Sequence, residues 1–200
     1  MCACLSVEYY RPFFDINTDE VVARIRYALV FCGTGSPFLD VVREKPDAYG
    51  PWWISTTLVF LIAVTSHLKT LMQFSGQHYR YDFKVVTFAA MTVYTYLGFA
   101  ALAIWLALNY WLKTPLTILQ CACVVGYSLS VYVPASILCV FSIISWPALL
   151  AAWVLSSLFA VKSILPIIEH HEKQMVAIFA GGLVSINCGL MLIIKLELYS

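Results

Sequence analysis

The sequence predicts an all-α polytopic membrane protein: a helical bundle of five transmembrane helices behind a short cytosolic N-terminal segment. Three observations predict it. From Pro115 to Val161 the chain runs 47 residues without an Asp, Glu, Lys or Arg, more uncharged helix than a small soluble globule can hide. Of the 200 residues, 62% are hydrophobic and 12% charged, whereas soluble domains carry charge at about a quarter of positions. Seven of the eleven acidic residues fall within residues 1–51, which sets a water-exposed segment apart from a membrane body over 52–200.

Within residues 1–51 the patterns are short. Asn17-Thr18-Asp19-Glu20 reads as a helix start, with Asn17 as cap and acidic side chains at the positive end of the helix dipole. Val21, Val22, Ile25 and Leu29 then form an apolar stripe flanked by Arg24 and Arg26. Gly33-Thr34-Gly35-Ser36-Pro37 ends that helix, and Phe38, Leu39, Val41 and Val42 make a second amphipathic turn before Pro46. Helices this short are marginal alone, so they are expected to rest on the membrane surface or a partner. No basic start followed by an apolar run occurs, so a cleaved signal peptide is not expected.

Crossing about 30 Å of hydrocarbon takes about 20 apolar residues. Five stretches meet this requirement, at about 52–68, 85–108, 116–141, 147–165 and 175–194. Pro134 falls inside the third and should break it, with hydroxyls such as that of Ser130 recovering freed carbonyls. Trp146-Pro147 is the expected turn before the fourth. Aromatic residues mark the interfaces: Trp52, Trp53, Tyr79, Tyr81, Tyr110 and Trp111. With the N-terminus in the cytosol, Arg11, Arg24, Arg26, Arg43, Lys45, Lys113, Lys162 and Lys173 lie on the cytosolic side. Lys69, Arg80, Lys84 and Lys195 lie opposite, and this bias favours N-in with the C-terminus across the membrane.

The interiors of these stretches hold no carboxylate or base, which argues against pumps, proton-coupled carriers and most membrane enzymes. Their polar residues, Gln120, Asn187 and scattered Ser and Thr, read as helix–helix hydrogen bonds. Glu169-His170-His171-Glu172 lacks the His-Glu-x-x-His spacing and reads as a solvated loop; no metal site, cofactor or nucleic-acid surface is expected. His67 and His78 are assigned no role. Cys121, Cys123, Cys139 and Cys188 behave as small hydrophobes, while Cys2 and Cys4 are reduced thiols or lipidation sites. Ala177, Gly181, Ser185 and Gly189 recur at four-residue spacing on the fifth stretch, a small-residue face that packs either within the monomer or between two copies.

Pro46-Asp47-Ala48-Tyr49-Gly50-Pro51-Trp52-Trp53 is the most individual motif. It makes either a rigid lead-in to the first span or a preshaped cytosolic surface offering Asp47 and Tyr49 to a partner, with Gly50 and Pro51 setting its shape. Here the chain resembles the YIP family of Ypt/Rab-interacting membrane proteins, closest to a subgroup with Asp-Leu-Tyr-Gly-Pro-Phe-Trp before the first span. Gly126-Tyr127-Ser128-Leu129-Ser130-Val131-Tyr132-Val133-Pro134 is a second similar motif. Tyr9-Tyr10-Arg11-Pro12-Phe13-Phe14-Asp15 and Tyr79-Arg80-Tyr81 also match in order. Ala48 stands where leucine is usual and Trp52 where phenylalanine is, so a contact made by that leucine does not carry over. The resemblance implies five spans, a cytosolic N-terminus, a luminal C-terminus, and a place in Golgi membranes and vesicle traffic; the expected function is non-enzymatic. The resemblance also implies Rab-type small GTPases and related membrane proteins as partners. Two rival readings are a membrane-shaping scaffold acting by oligomerisation, and a transporter or lipid-handling protein gated at Pro134 with Ser128, Ser130, Gln120 and Asn187 around a polar slot.

Overall fold

The computed structural model describes residues 14, 16–30, 38–73, 83–114, 116–168 and 173–199. The segments around Cys2, Cys4, Tyr9–Phe13, His78–Tyr81 and Glu169–Glu172 lie outside them. Among the described residues every regular element is helical. Two short helices, α1 (Thr18–Val30) and α2 (Phe38–Glu44), precede five long ones. The first span is α3 (Tyr49–Gln73), and the second is α4 (Lys84–Leu106) with a π-helical turn over Ala107–Trp111. The third consists of α5 (Ile118–Ser128), a 3-10 turn (Leu129–Val131) and α6 (Tyr132–Leu138). The fourth is α7 (Ser142–Ile168), and the fifth is α8 (Lys173–Ile193) with a π-helical turn over Ile194–Leu198.

Each long helix is apolar enough to cross a bilayer, and the chain is a multi-pass membrane protein. The third span is central: α5 packs on α3, α4 and α7, and α6 on α3 and α7. Its core window is 72% buried, while the second and fifth spans, at 28% and 33%, turn large apolar side chains such as Phe88, Phe99 and Ile178 outward. That outward face is what lipid solvates.

Local chemistry sets the helix ends. The span expected to end near residue 108 continues to Trp111, because the Leu112 N–H reaches back to the Ala107 carbonyl at 3.2 Å. Lys113 then stops it in the left-handed region at φ 49°. The third span breaks where Pro134 predicts, tightening to a 3-10 turn just before the proline. Ser130 Oγ donates to the Tyr127 carbonyl at 2.7 Å. Trp146-Pro147 does not form the expected turn. The chain reverses instead over Cys139–Phe141, and Pro147 lies inside α7 more than one turn from its start.

The arm corrects a second expectation. α1 and α2 rest on the chain's own bundle, with α1 against α5 and α7 and α2 against the same two helices. Ala28, Phe38, Leu39 and Val42 are fully buried. The rings of Tyr27, Phe38, Phe159 and Tyr127 join arm to spans, with Phe38 4.9 Å from Phe159 and 5.5 Å from Tyr127. α1 is also rolled from its predicted stripe. Arg24 and Ala28 face inward, whereas Val22 faces out.

Candidate functional site

The roll of α1 is explained by what receives Arg24. Asp47, in the link between α2 and α3, is 1% exposed, and its carboxylate pairs with the Arg24 guanidinium, itself 5% exposed. Arg24 Nη2 donates a second bond to the Lys45 carbonyl at 2.9 Å. Both oxygens of Asp47 accept further bonds: the Gly50 N–H donates to Oδ1 at 2.8 Å and Tyr127 Oη to Oδ2 at 3.1 Å. Cys123 Sγ donates to the Asp47 carbonyl at 2.8 Å. A buried charge is tolerated only when paired and hydrogen-bonded, and this carboxylate has both.

Two glycines make the fit reciprocal. A Cβ on Gly50 would stand 2.1 Å from Tyr127 Oη, and a Cβ on Gly126 would stand 2.3 Å from the Cβ of Pro51 and 2.6 Å from its Cα. Gly50-Pro51 and Gly126-Tyr127 therefore interlock, each glycine making room for the other motif's bulky residue. Pro51 is accommodated because it sits in the first turn of α3, where no helical N–H is needed.

The two sequence motifs are thus one structure, with Arg24 as the missed third member. Asp47, Gly50 and Pro51 face inward, so the carboxylate of Asp47 is turned away from any partner approaching from water. Tyr49 is exposed, with its ring 6.0 Å from that of exposed Trp53, while Trp52 leans on Tyr94 at 5.4 Å. Leu129 and Pro134 belong to the bent middle of the third span, with Leu129 fully buried and Pro134 exposed. The pairing of Arg24 was hidden because Arg24 reads as a solvated flank of the α1 stripe, and no short spacing links it to Asp47.

The remaining polar candidates separate. Gln120 closes a capping box with Thr117, accepting from the Thr117 N–H at 3.0 Å. Ser128 and Ser130 donate to carbonyls of their own helix. Asn187 does join helices: Tyr96 Oη and Ser156 Oγ donate to its Oδ1 at 2.8 and 3.0 Å. A cavity of about 610 Å³ between α4 and α8 is lined by Phe88, Thr92, Phe99 and Ile186 among others, and by none of these four. Gln120, Ser128, Ser130 and Asn187 thus share neither this cavity nor a common hydrogen-bond partner among the described residues.

The small-residue face of α8 does not pack within the monomer. Ala177, Gly181 and Ser185 are exposed, and a Cβ on Gly181 or Gly189 would meet nothing within 4 Å. Of the two packings expected for this face, the one within the monomer is not what the structure has at Gly181 and Gly189.

An all-α arm clamped onto a five-span bundle defines a membrane protein whose water-facing segment is part of the fold. The model of the Yip1 domain matches residues 35–194, and the chain belongs to that family. It is 32% identical over 197 residues to the protein named YIPF1 homolog from Dictyostelium discoideum, covering 97% of this chain and 56% of that one. It is 27% identical over 198 residues to protein YIP5 of Schizosaccharomyces pombe, covering 94% of this chain and 78% of that one. The chain thus spans little more than half the length of the Dictyostelium relative. No solved structure matches it.

Proposed function

We propose that this chain is a non-enzymatic protein of vesicle traffic in Golgi membranes that recruits Rab-type small GTPases through its docked arm. In this reading the N-terminus is cytosolic and the C-terminus luminal. The observation that carries it is the outward face of α1. Val22, Arg26 and Val30 recur every four residues, and both valines point away from the bundle at 44% and 65% exposure. Beside them Val41 and Tyr49 are also exposed. Apolar side chains interleaved with charge on a rigid, water-facing helix suit a protein partner. The buried Asp47 cluster supports this surface from beneath. The test is capture of GTP-loaded Rab-type GTPases by the purified chain in detergent. Val22→Asp with Val30→Asp should abolish capture and leave folding intact; equal capture by native and variant chains rejects the surface.

A second reading, oligomerisation as a scaffold with related membrane proteins, is favoured by the open face of α8. A Cβ on Gly181 or Gly189 would meet nothing within 4 Å, and Gly181 is exposed. Cysteine crosslinking along that face in native membranes tests it, and an absence of crosslinked species removes it.

A further inference from the structure

We propose that Lys69 and Lys195 form a binding site for a phosphate group at the end of the bundle opposite the arm. Lys69 stands 20 residues beyond Tyr49 on α3, about 30 Å along a helix and so one hydrocarbon thickness away. Lys195 lies in the last turn of the fifth span, at the same end. Both are more than nine-tenths buried, at 7% and 8% exposure. Both converge on a single atom: Lys69 Nζ donates to the Tyr199 carbonyl at 2.6 Å and Lys195 Nζ to the same oxygen at 3.4 Å.

Among the described residues their hydrogen-bond partners are neutral. Lys195 Nζ donates to Ser145 Oγ at 2.7 Å and lies 5.2 Å from the ring of Trp146. Thr65 Oγ1 and Tyr199 Oη bond to one another, and Tyr199 Oη donates to the Ser136 carbonyl at 3.3 Å. Among the described residues neither lysine has a carboxylate in an ion pair, and Glu197, two residues along, is exposed. Two ammonium groups beside one carbonyl, shielded from water, repel each other and have lost hydration. Each ammonium carries three donors, and among the described residues the pair donates to one shared carbonyl, that of Tyr199, and to Ser145 Oγ. An anion with several oxygens accepts from both ammonium groups at once. The position at a membrane boundary, beside a half-exposed Trp146, selects phosphate, the anion of lipid headgroups and also of the aqueous phase.

The experiment uses the full chain, purified in detergent and stripped of lipid. Dioleoyl phosphatidic acid, dioleoyl phosphatidylcholine and inorganic phosphate are titrated separately, with native mass spectrometry and thermal unfolding as readouts. The native chain should bind a phosphate-bearing probe and melt at a higher temperature with it. Lys69→Met and Lys195→Met should each weaken binding by about tenfold or more, while Lys→Arg at either position retains it. Without phosphate the Met variants should melt no lower than the native chain, since each removes one of two repelling charges. Binding of lipid but not inorganic phosphate assigns a headgroup; binding of both with the same sensitivity to substitution assigns a free phosphate site. If no probe binds, or if binding is the same in both Met variants, the site is refuted.

Discussion

Removing the carboxylate of Asp47 is the most direct test of the clamp. Asp47→Ala leaves the Arg24 guanidinium buried without its counter-charge and takes the acceptor from the Gly50 N–H and Tyr127 Oη. Breaking a buried pair from one side costs about 3–5 kcal/mol, and an orphaned donor about 1–3. These terms overlap because the groups share one acceptor, so the expected loss of arm docking is about 4 kcal/mol. That multiplies the undocked population by about a thousand. Cys123 reports it, since its thiol is buried against the Asp47 carbonyl. In a background with the other six of the seven cysteines replaced by alanine, maleimide labelling of Cys123 should accelerate accordingly. Arg24→Met should behave similarly, and Arg24→Met with Asp47→Asn should show coupling of about 2–3 kcal/mol. Unchanged labelling in Asp47→Ala, or strictly additive losses in the double variant, would show that the pair does not hold the arm.

Gly126→Ala forces a methyl group against the backbone of Pro51 and should cost about 1–3 kcal/mol of thermal stability in detergent; an unshifted melt would contradict the close approach. Gly50→Val meets Tyr127 and should impair GTPase capture while membrane insertion, read by alkaline extraction, persists. Gly181→Leu should leave the monomer's stability within about 0.5 kcal/mol yet abolish crosslinking if α8 pairs two copies. The Cys139 thiol, in the turn after α6, is pushed up to about 11 by burial, with Lys195 and Lys69 pulling it down. Its neutral form is favoured by folding, so this contribution to stability is intact below pH 9 and is lost as pH rises toward 11. Melts of native and Cys139→Ala chains between these values check the sign, and the two should converge as pH rises if it is right.

The spans were legible because their signal is length and apolarity, which need no tertiary information. Pro134 likewise acts on its own helix. Pro147 misled because a proline near the start of a helix resembles one in a turn, and only the tight reversal at Cys139–Phe141 separates the cases. The site was half legible. Asp47-Tyr49-Gly50-Pro51 and Gly126-Tyr127 both stand out in the sequence, but their interlocking depends on which helix faces meet. Arg24, Lys69 and Lys195 entered the sequence reading as charges counted on either side of the membrane, since such residues are ordinarily exposed. Their burial follows from partners 23, 130 and 50 positions away, distances that no local pattern encodes.

The clamp also imposes an order on biogenesis. Tyr127 lies 80 positions beyond Asp47, so at roughly 5–20 residues per second the ribosome needs about 4–16 s to deliver it. Throughout that interval the first two spans can enter the membrane while Arg24 and Asp47 stay hydrated and open to other proteins. Arrival of the third span is the event that seals the arm, making its closure a built-in signal that three spans have been made.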